Sequence, residues 1–168
     1  MKIAICWAHW VWKTTISKEI SKEYNLEILP DIVVQAHNMG LQINESTPLE
    51  TQVWLIWQQM ANEKTTTKFI ADKCIFDYYI YAKALCMDDD LVNVAYKMAS
   101  KTGKYDYIFY IPPEFPIEDD GVRSTDKAFQ SSVDKTYKEF LDKEKLDYCT
   151  ITWSVNERVS MIREYLNN

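Results

Sequence analysis

Residues 7 to 15 read Trp-Ala-His-Trp-Val-Trp-Lys-Thr-Thr, between a short apolar run, Lys2 to Cys6, and a stretch to Tyr24 that keeps Ile16 and Ile20 on one helical face. A lysine followed by hydroxyl residues at a helix start is chemistry for an anion. The ammonium and the first-turn N–H groups attract negative charge, and the hydroxyl can ligate a hard cation. The pattern that cradles phosphates between a strand and a helix is G-x-x-x-x-G-K-[ST]. Lys13 and Thr14 fill its last two places, but the two required glycines fall on Trp7 and Trp12, and a third place where glycine is common holds Trp10.

Glycine matters there for two reasons. The loop wraps phosphate with consecutive backbone N–H groups, which requires left-handed conformations costing about 1–2 kcal/mol for a residue with a Cβ. It must also touch the phosphate oxygens, and an indole, which buries about 150–250 Å², leaves no room. The steric effect is the larger of the two. The whole chain holds only three glycines beside six tryptophans, against an average glycine usage of roughly 7%.

The elements that must position this loop alternate between strand and helix. After Lys13 to Tyr24, Leu26 to Leu29 reads as a strand ended by Pro30, and Asp31 begins a helical stretch towards Gly40. Thr47-Pro48-Leu49-Glu50 reads as a helix start, with Thr47 capping, Pro48 in the first helical place and Glu50 completing a capping box; the helix runs to about Lys64. Lys68 to Ala71 is a candidate strand with Asp72 at its C-terminal end, and Phe76 to Cys86 an aromatic-rich helix. Asp88 to Asp90 can cap the next helix, which stops at Gly103. Tyr105 to Ile111 is the clearest strand, Glu114 to Asp126 a polar loop, Phe129 to Lys143 a helix, Leu146 to Thr152 the last strand and Val155 to Leu166 the last helix. This rhythm predicts an α/β fold with a parallel sheet covered on both faces.

At 168 residues the chain suits one domain, 1–168, of a size that buries about 70% of its unfolded surface. Its net charge of -6 argues against nucleic acid or an anionic membrane as the main partner. Cys6, Cys74, Cys86 and Cys149 have no CxxC spacing and read as reduced thiols, and no segment resembles a signal peptide or membrane span, so a cytoplasmic protein is expected. His9 and His37 read as structural or solvated, and Tyr78, Tyr79 and Tyr81 as helix packing.

With glycine at the three tryptophan places, the opening of the chain resembles the P-loop nucleoside and nucleotide kinases. Asp72-Lys73 looks like their Asp-Arg step, with lysine as a departure. Asp120-Gly121-Val122-Arg123-Ser124 resembles the DGxR lid of the AAA-type ATPase/kinase group that includes nicotinamide riboside kinase and thymidylate kinase domains. Thr152-Trp153-Ser154, ahead of Arg158, looks like the closing segment beside the adenine. The resemblance implies a three-layer fold with a five-stranded parallel sheet, a lid near 114–126, and ATP and Mg²⁺ as cofactors. It implies a cradle made by Trp7, Ala8, His9, Trp10, Val11, Trp12, Lys13, Thr14 and Thr15. Lys13 would bridge the β- and γ-phosphates, Thr14 and Asp72 would serve the metal, and Arg123 would close over the γ-phosphate. Lys73 would stand near the transferred group, Asp31 or Asp77 would orient a small nucleoside- or nucleotide-like acceptor, and Arg158 would lie on the nucleotide side. Kinases of this plan are monomers or homodimers.

Trp153 also stands where the kinase plan expects glycine, and Trp57 where a small residue would be unsurprising. Three explanations fit: a gene whose UGA codons mean glycine read with a code in which they mean tryptophan, deliberate substitution, or a natural relative that has lost catalysis. UGG codons at positions 7, 10 and 12 exclude the first. The expectation is a kinase in family role whose nucleotide binding is impaired in the chain as written. The alternative is a non-catalytic module of the same fold that binds a protein partner.

Overall fold

The computed structural model describes residues 1–7, 13–43, 47–114 and 126–167, with the side chain of Trp7 left out. Strand β1 (Lys2–Trp7) is followed by α1 (Lys13–Tyr24), β2 (Glu27–Leu29), α2 (Ile32–Asn38) and α3 (Leu49–Thr65). Then come β3 (Phe69–Ala71), α4 (Ile75–Ala84), α5 (Asp89–Thr102), β4 (Tyr107–Ile111), α6 (Lys127–Lys143), β5 (Cys149–Thr150) and α7 (Val155–Asn167). The five strands form one sheet in the order β2-β3-β1-β4-β5, and every pairing is parallel. The expected α/β architecture, a five-stranded parallel sheet with helices on both faces, is the one observed.

Why β1 reads as an unbroken apolar run follows from its place. It is the central strand, paired with β3 on one side and β4 on the other. Ile3, Ala4, Ile5 and Cys6 are all fully buried, because helices cover both faces. On one side α1 packs with α7 and against β2 and β3; α4 packs on β1 and gathers α3, α5 and α6 around it.

Four helices end without a run of glycines to help them. Asn25, Gly40, Cys86 and Lys145 take left-handed φ values of 52°, 78°, 50° and 51°. The residue after each donates to the carbonyl five positions back: Leu26 N to Ser21 O, Leu41 N to Ala36 O, Met87 N to Ala82 O and Leu146 N to Leu141 O. Three of the four places thus use a residue with a Cβ, as the composition forces. Gly103, the C-cap of α5, is different: an added Cβ would lie 2.3 Å from the Phe76 ring and 2.7 Å from the Ala99 carbonyl oxygen.

The start of α3 departs from expectation. Pro48 is the N-cap, with extended backbone, and no side chain caps the helix. Thr47 is buried instead, so the Thr47–Glu50 capping box does not form. Strands also end tighter than the apolar runs imply. The expected strand from Tyr105 begins at Tyr107, and the last strand shrinks to Cys149–Thr150, since this edge strand pairs only with β4.

Candidate active site

Because all strands run parallel, the segments after β1, β3, β4 and β5 gather at one edge, where strand order reverses around β1. Lys13 and Thr14 open α1 there, and Asp72 follows β3. Lys13 Nζ donates to the Asp72 carbonyl at 2.8 Å and lies 3.7 Å from its Oδ1. Thr14 Oγ1 donates to Asp72 Oδ2 at 2.9 Å. Asp72 Oδ1 is buried and makes no hydrogen bond. The first turn of α1 holds no acidic residue of its own, and the carboxylate beside it comes from Asp72. Ammonium, hydroxyl and carboxylate thus converge on one point from segments 58 and 59 residues apart.

The β3–α4 turn that carries Asp72 and Lys73 is fastened by groups the sequence reading did not single out. Gln59 of α3 donates from Nε2 to the Lys73 carbonyl at 2.9 Å and to Glu63 Oε1 at 2.8 Å. Glu63 accepts from the Ile75 backbone N–H at 2.9 Å and from the Tyr105 hydroxyl at 2.8 Å. Asp77 Oδ2 accepts from the Cys74 N–H at 2.6 Å. Two carboxylates therefore satisfy two of the orphan donors of the α4 N-terminus, those of Cys74 and Ile75, and Asp72 does not cap it. Burial pushes the Glu63 carboxyl above its ordinary value, against the hydrogen bonds from Gln59, Tyr105 and Ile75 that pull it down. Behind the turn, the buried Cys6 and Cys74 sulfurs lie 3.8 Å apart, and burial raises the Cys74 thiol well above its usual range.

Beside the turn opens a small cleft bounded by Val33, Gln52, Leu55, Lys73, Asp77 and Tyr81. Lys73 Nζ sits 4.6 Å from the Tyr81 ring centre and 5.8 Å from that of Tyr78, so its charge lies over two aromatic faces. Gln52 Oε1 is buried there without a hydrogen bond. Tyr78 and Tyr79 are buried, in keeping with packing. Asp77 is fully buried and engaged as a cap, while Asp31 caps α2 by accepting from Val33 N at 2.9 Å.

Past β5, Trp153 has φ 73° and a ring that is 65% exposed. The Trp153 backbone N–H donates to Glu114 Oε2 at 2.9 Å, and the same oxygen accepts from Arg158 Nη2 at 2.8 Å. Glu114, at the foot of the expected lid, thus ties the closing segment to the buried guanidinium of α7. Ser154 and Glu157 form a reciprocal cap at the start of α7, and the Ser154 hydrogen bonds hold Glu157 below its ordinary value. Ala8, His9, Trp10, Val11 and Trp12, like Arg123 of the lid, lie outside the described residues. Among those described, no three His, Cys, Asp or Glu side chains cluster as a metal cage, and no helix is long and apolar enough to cross a membrane.

Solved structures share this fold. The deoxyadenosine kinase of M. mycoides, described with the products dCMP and dCDP, superposes with a TM-score of 0.70 at 20% identity, over 99% of this chain and 98% of that one. The NadR protein in complex with NR gives 0.77 at 14% identity, over 99% of this chain and 52% of that one. The thymidylate kinase of Ehrlichia chaffeensis gives 0.67 at 15% identity, over 99% and 98%. At these identities the likeness is one of fold, the P-loop nucleotide-kinase-like fold. No curated protein matches the sequence. A family model, described as AAA domain, matches residues 9–158, from the loop ahead of Lys13 to Arg158 in α7, and the chain belongs to that family.

Proposed function

We propose that the chain's family role is phosphoryl transfer from ATP to a small nucleoside- or nucleotide-like acceptor, with Mg²⁺, in the cytoplasm. The observation that carries the reading is the meeting of Lys13, Thr14 and Asp72 at the carboxyl edge of the sheet. Lys13 holds the β- and γ-phosphate oxygens, and Arg123 closes on the γ-phosphate from the lid. Lys73 stands over the acceptor cleft, which Asp77 also lines; Asp31 or Asp77 orients the acceptor, and Arg158 with Glu114 shapes the nucleotide side. An acceptor oxygen attacks the γ-phosphorus while the bond to the departing ADP oxygen breaks, so positioning and charge neutralisation supply most of the rate. The residues fit Mg²⁺: a hydroxyl and a carboxylate lie 2.9 Å apart, and Asp72 keeps one buried oxygen free of hydrogen bonds. Such hard oxygen donors, few in number, suit an ion that retains several waters. When bound, Mg²⁺ offsets the charge on the phosphate oxygens.

In the chain as written, Trp7, Trp10 and Trp12 stand at the glycine places of the cradle's sequence pattern, so ATP binding is weak or absent. Indoles leave no room where the main chain must touch phosphate oxygens. The test is calorimetry with ATP and Mg²⁺ on the written chain and on its Trp7→Gly, Trp10→Gly, Trp12→Gly version. Binding by the glycine version alone supports both claims. Equal tight binding by the two defeats the steric one, and no binding by the glycine version defeats the kinase reading. A second reading, a non-catalytic module that docks a protein partner, draws on the exposed Trp153 ring and becomes the stronger one in that last case.

A further inference from the structure

The amino edge of the sheet, at the opposite end of the strands from Lys13 and Asp72, gathers positive charge from four separate segments. Lys2 opens β1, Lys64 stands in the last turn of α3, Lys101 in the last turn of α5, and Lys104 between α5 and β4. All four bound one hollow, together with Met60 and Phe69. Lys2 is fixed there, since its Nζ donates to the Glu63 carbonyl at 3.3 Å and lies 5.3 Å from the Phe69 ring centre. Lys64, Lys101 and Lys104 are exposed. Among the described residues none of these three ammonium groups makes an ion pair or a hydrogen bond.

The carboxylates of this edge do not answer that charge. Glu63, which also bounds the hollow, spends its carboxylate on the Ile75 N–H and the Tyr105 hydroxyl. Asp106 accepts from the Lys2 backbone N–H at 2.8 Å. Glu27 opens β2, on the far side of β3, and does not bound the hollow. Complementing a helix dipole explains one lysine in the last turn of α3 and one in the last turn of α5. It does not explain Lys104, which belongs to neither helix, or the meeting of all four at one place. Like charges gathered in this way repel one another, in a chain whose net charge is otherwise -6. An anion carrying two or more charges relieves that repulsion. A nucleic acid or a bilayer needs a broad basic face, which an acidic protein does not offer, whereas a small anion needs only the hollow.

We infer that this hollow is a binding site for a small phosphate-class polyanion, such as pyrophosphate or a compact phosphate ester, held by Lys2, Lys64, Lys101 and Lys104. Parallel strands put it at the far edge from the candidate active site, so the two sites are distinct. Glu63 joins them: its carbonyl accepts from Lys2 at the hollow, and its carboxylate accepts from Ile75 in the turn that follows Asp72 and Lys73. Gln59, bonded to the same carboxylate, holds the Lys73 carbonyl. An anion that draws together the ends of α3, α5 and β1 therefore also steadies that turn. The inference rests on the lysines of the amino edge and on no property of the phosphate loop.

Calorimetric titration of the full chain with inorganic pyrophosphate at low ionic strength tests it. The expected result is a single saturable site, present equally in Lys13→Ala and weakened severalfold when salt rises from about 50 to about 250 mM. Lys104→Gln should raise the dissociation constant about two- to fivefold, and the triple variant Lys64→Gln, Lys101→Gln, Lys104→Gln about tenfold to a hundredfold. If the triple variant loses helical dichroism, Lys104→Gln still reads the site, since it lies outside both helices. Saturating pyrophosphate should slow hydrogen exchange of the Ile75 amide, in Lys13→Ala as in the natural chain. Absence of saturable binding at millimolar pyrophosphate overturns the site. Binding that disappears in Lys13→Ala and survives in the lysine variants belongs to the phosphate loop and overturns it as well. Capture by phosphatidylcholine vesicles doped with phosphatidic acid, without pyrophosphate binding, makes the patch a membrane contact and overturns the small-anion assignment. An Ile75 exchange rate unchanged at saturation overturns the link to the turn.

Discussion

Trp153 offers a measurement of whether its backbone was made for glycine. Its φ of 73° places the Cβ against the carbonyl oxygen, at a cost of about 1–2 kcal/mol that glycine avoids. Unlike Asn25, Cys86 and Lys145, it lies ahead of a helix rather than behind one, so no helix-end hydrogen bond demands the conformation. Comparing Trp153→Gly with the natural chain would mix this cost with loss of the ring's contacts. Comparing Trp153→Gly with Trp153→Ala does not, because both remove the ring. Glycine loses about 0.4–1 kcal/mol relative to alanine through its freer unfolded chain. The difference leaves the glycine variant more stable than the alanine variant by about 0.5–1 kcal/mol, or roughly 1–4 °C in melting temperature. The control is the same pair at Trp57, in the middle of α3, where alanine should win by about 1 kcal/mol. Thermal and urea melts of the four variants read both differences. If alanine is equal or better at position 153 as it is at 57, the left-handed assignment is wrong, and with it the claim that this position is built for glycine.

The remaining predictions concern the site. In the glycine version of the loop, Lys13→Ala should weaken ATP binding about tenfold to a hundredfold by calorimetry, the worth of charge-assisted hydrogen bonds; no loss would mean another residue holds the phosphates. Gln59→Leu strips the Lys73 carbonyl and Glu63 of a donor and should cost about 1–3 kcal/mol in urea unfolding, whereas an unchanged midpoint would make that bridge incidental. Glu63 has a raised folded-state pKa, so its contribution is fully present below the unfolded carboxylate value and is lost as pH rises through the folded one. The stability advantage of the natural chain over Glu63→Gln should therefore shrink as pH climbs from the ordinary carboxylate range to neutrality, and an advantage that grows instead would reverse the assignment. Native Cys6 and Cys74 should resist a thiol reagent that labels the exposed Cys86 at once; rapid labelling of all three would contradict their burial.

What the sequence discloses and what it hides divide along a physical line. Lys13 and Thr14 are legible because local patterning brackets them: a buried strand must precede them, and an amphipathic helix must follow, with the bounds of α1 falling at Lys13 and Tyr24 as expected. Asp72 is legible because it ends an apolar run. The parallel sheet follows from the alternation of elements, but the order β2-β3-β1-β4-β5 is a tertiary fact with no local signature. The roles of Gln59, Glu63 and Glu114 are hidden for the same reason, since each comes from a partner distant along the chain, as when Glu114 meets Arg158 across 44 residues. The i,i+4 pair Gln59–Glu63, on the helix face shared with Leu55 and Ile56, was the available signal, because polar groups on a buried face must be paired. Thr47 misled because a capping pattern states only what a threonine can do, while burial decided otherwise. The tryptophans combine both cases. Sequence marks Trp153 as misplaced only through likeness to other proteins, whereas a φ of 73° marks it from the chain's own backbone. The backbone owes nothing to that likeness, and the two agree at Trp153 that the position suits glycine.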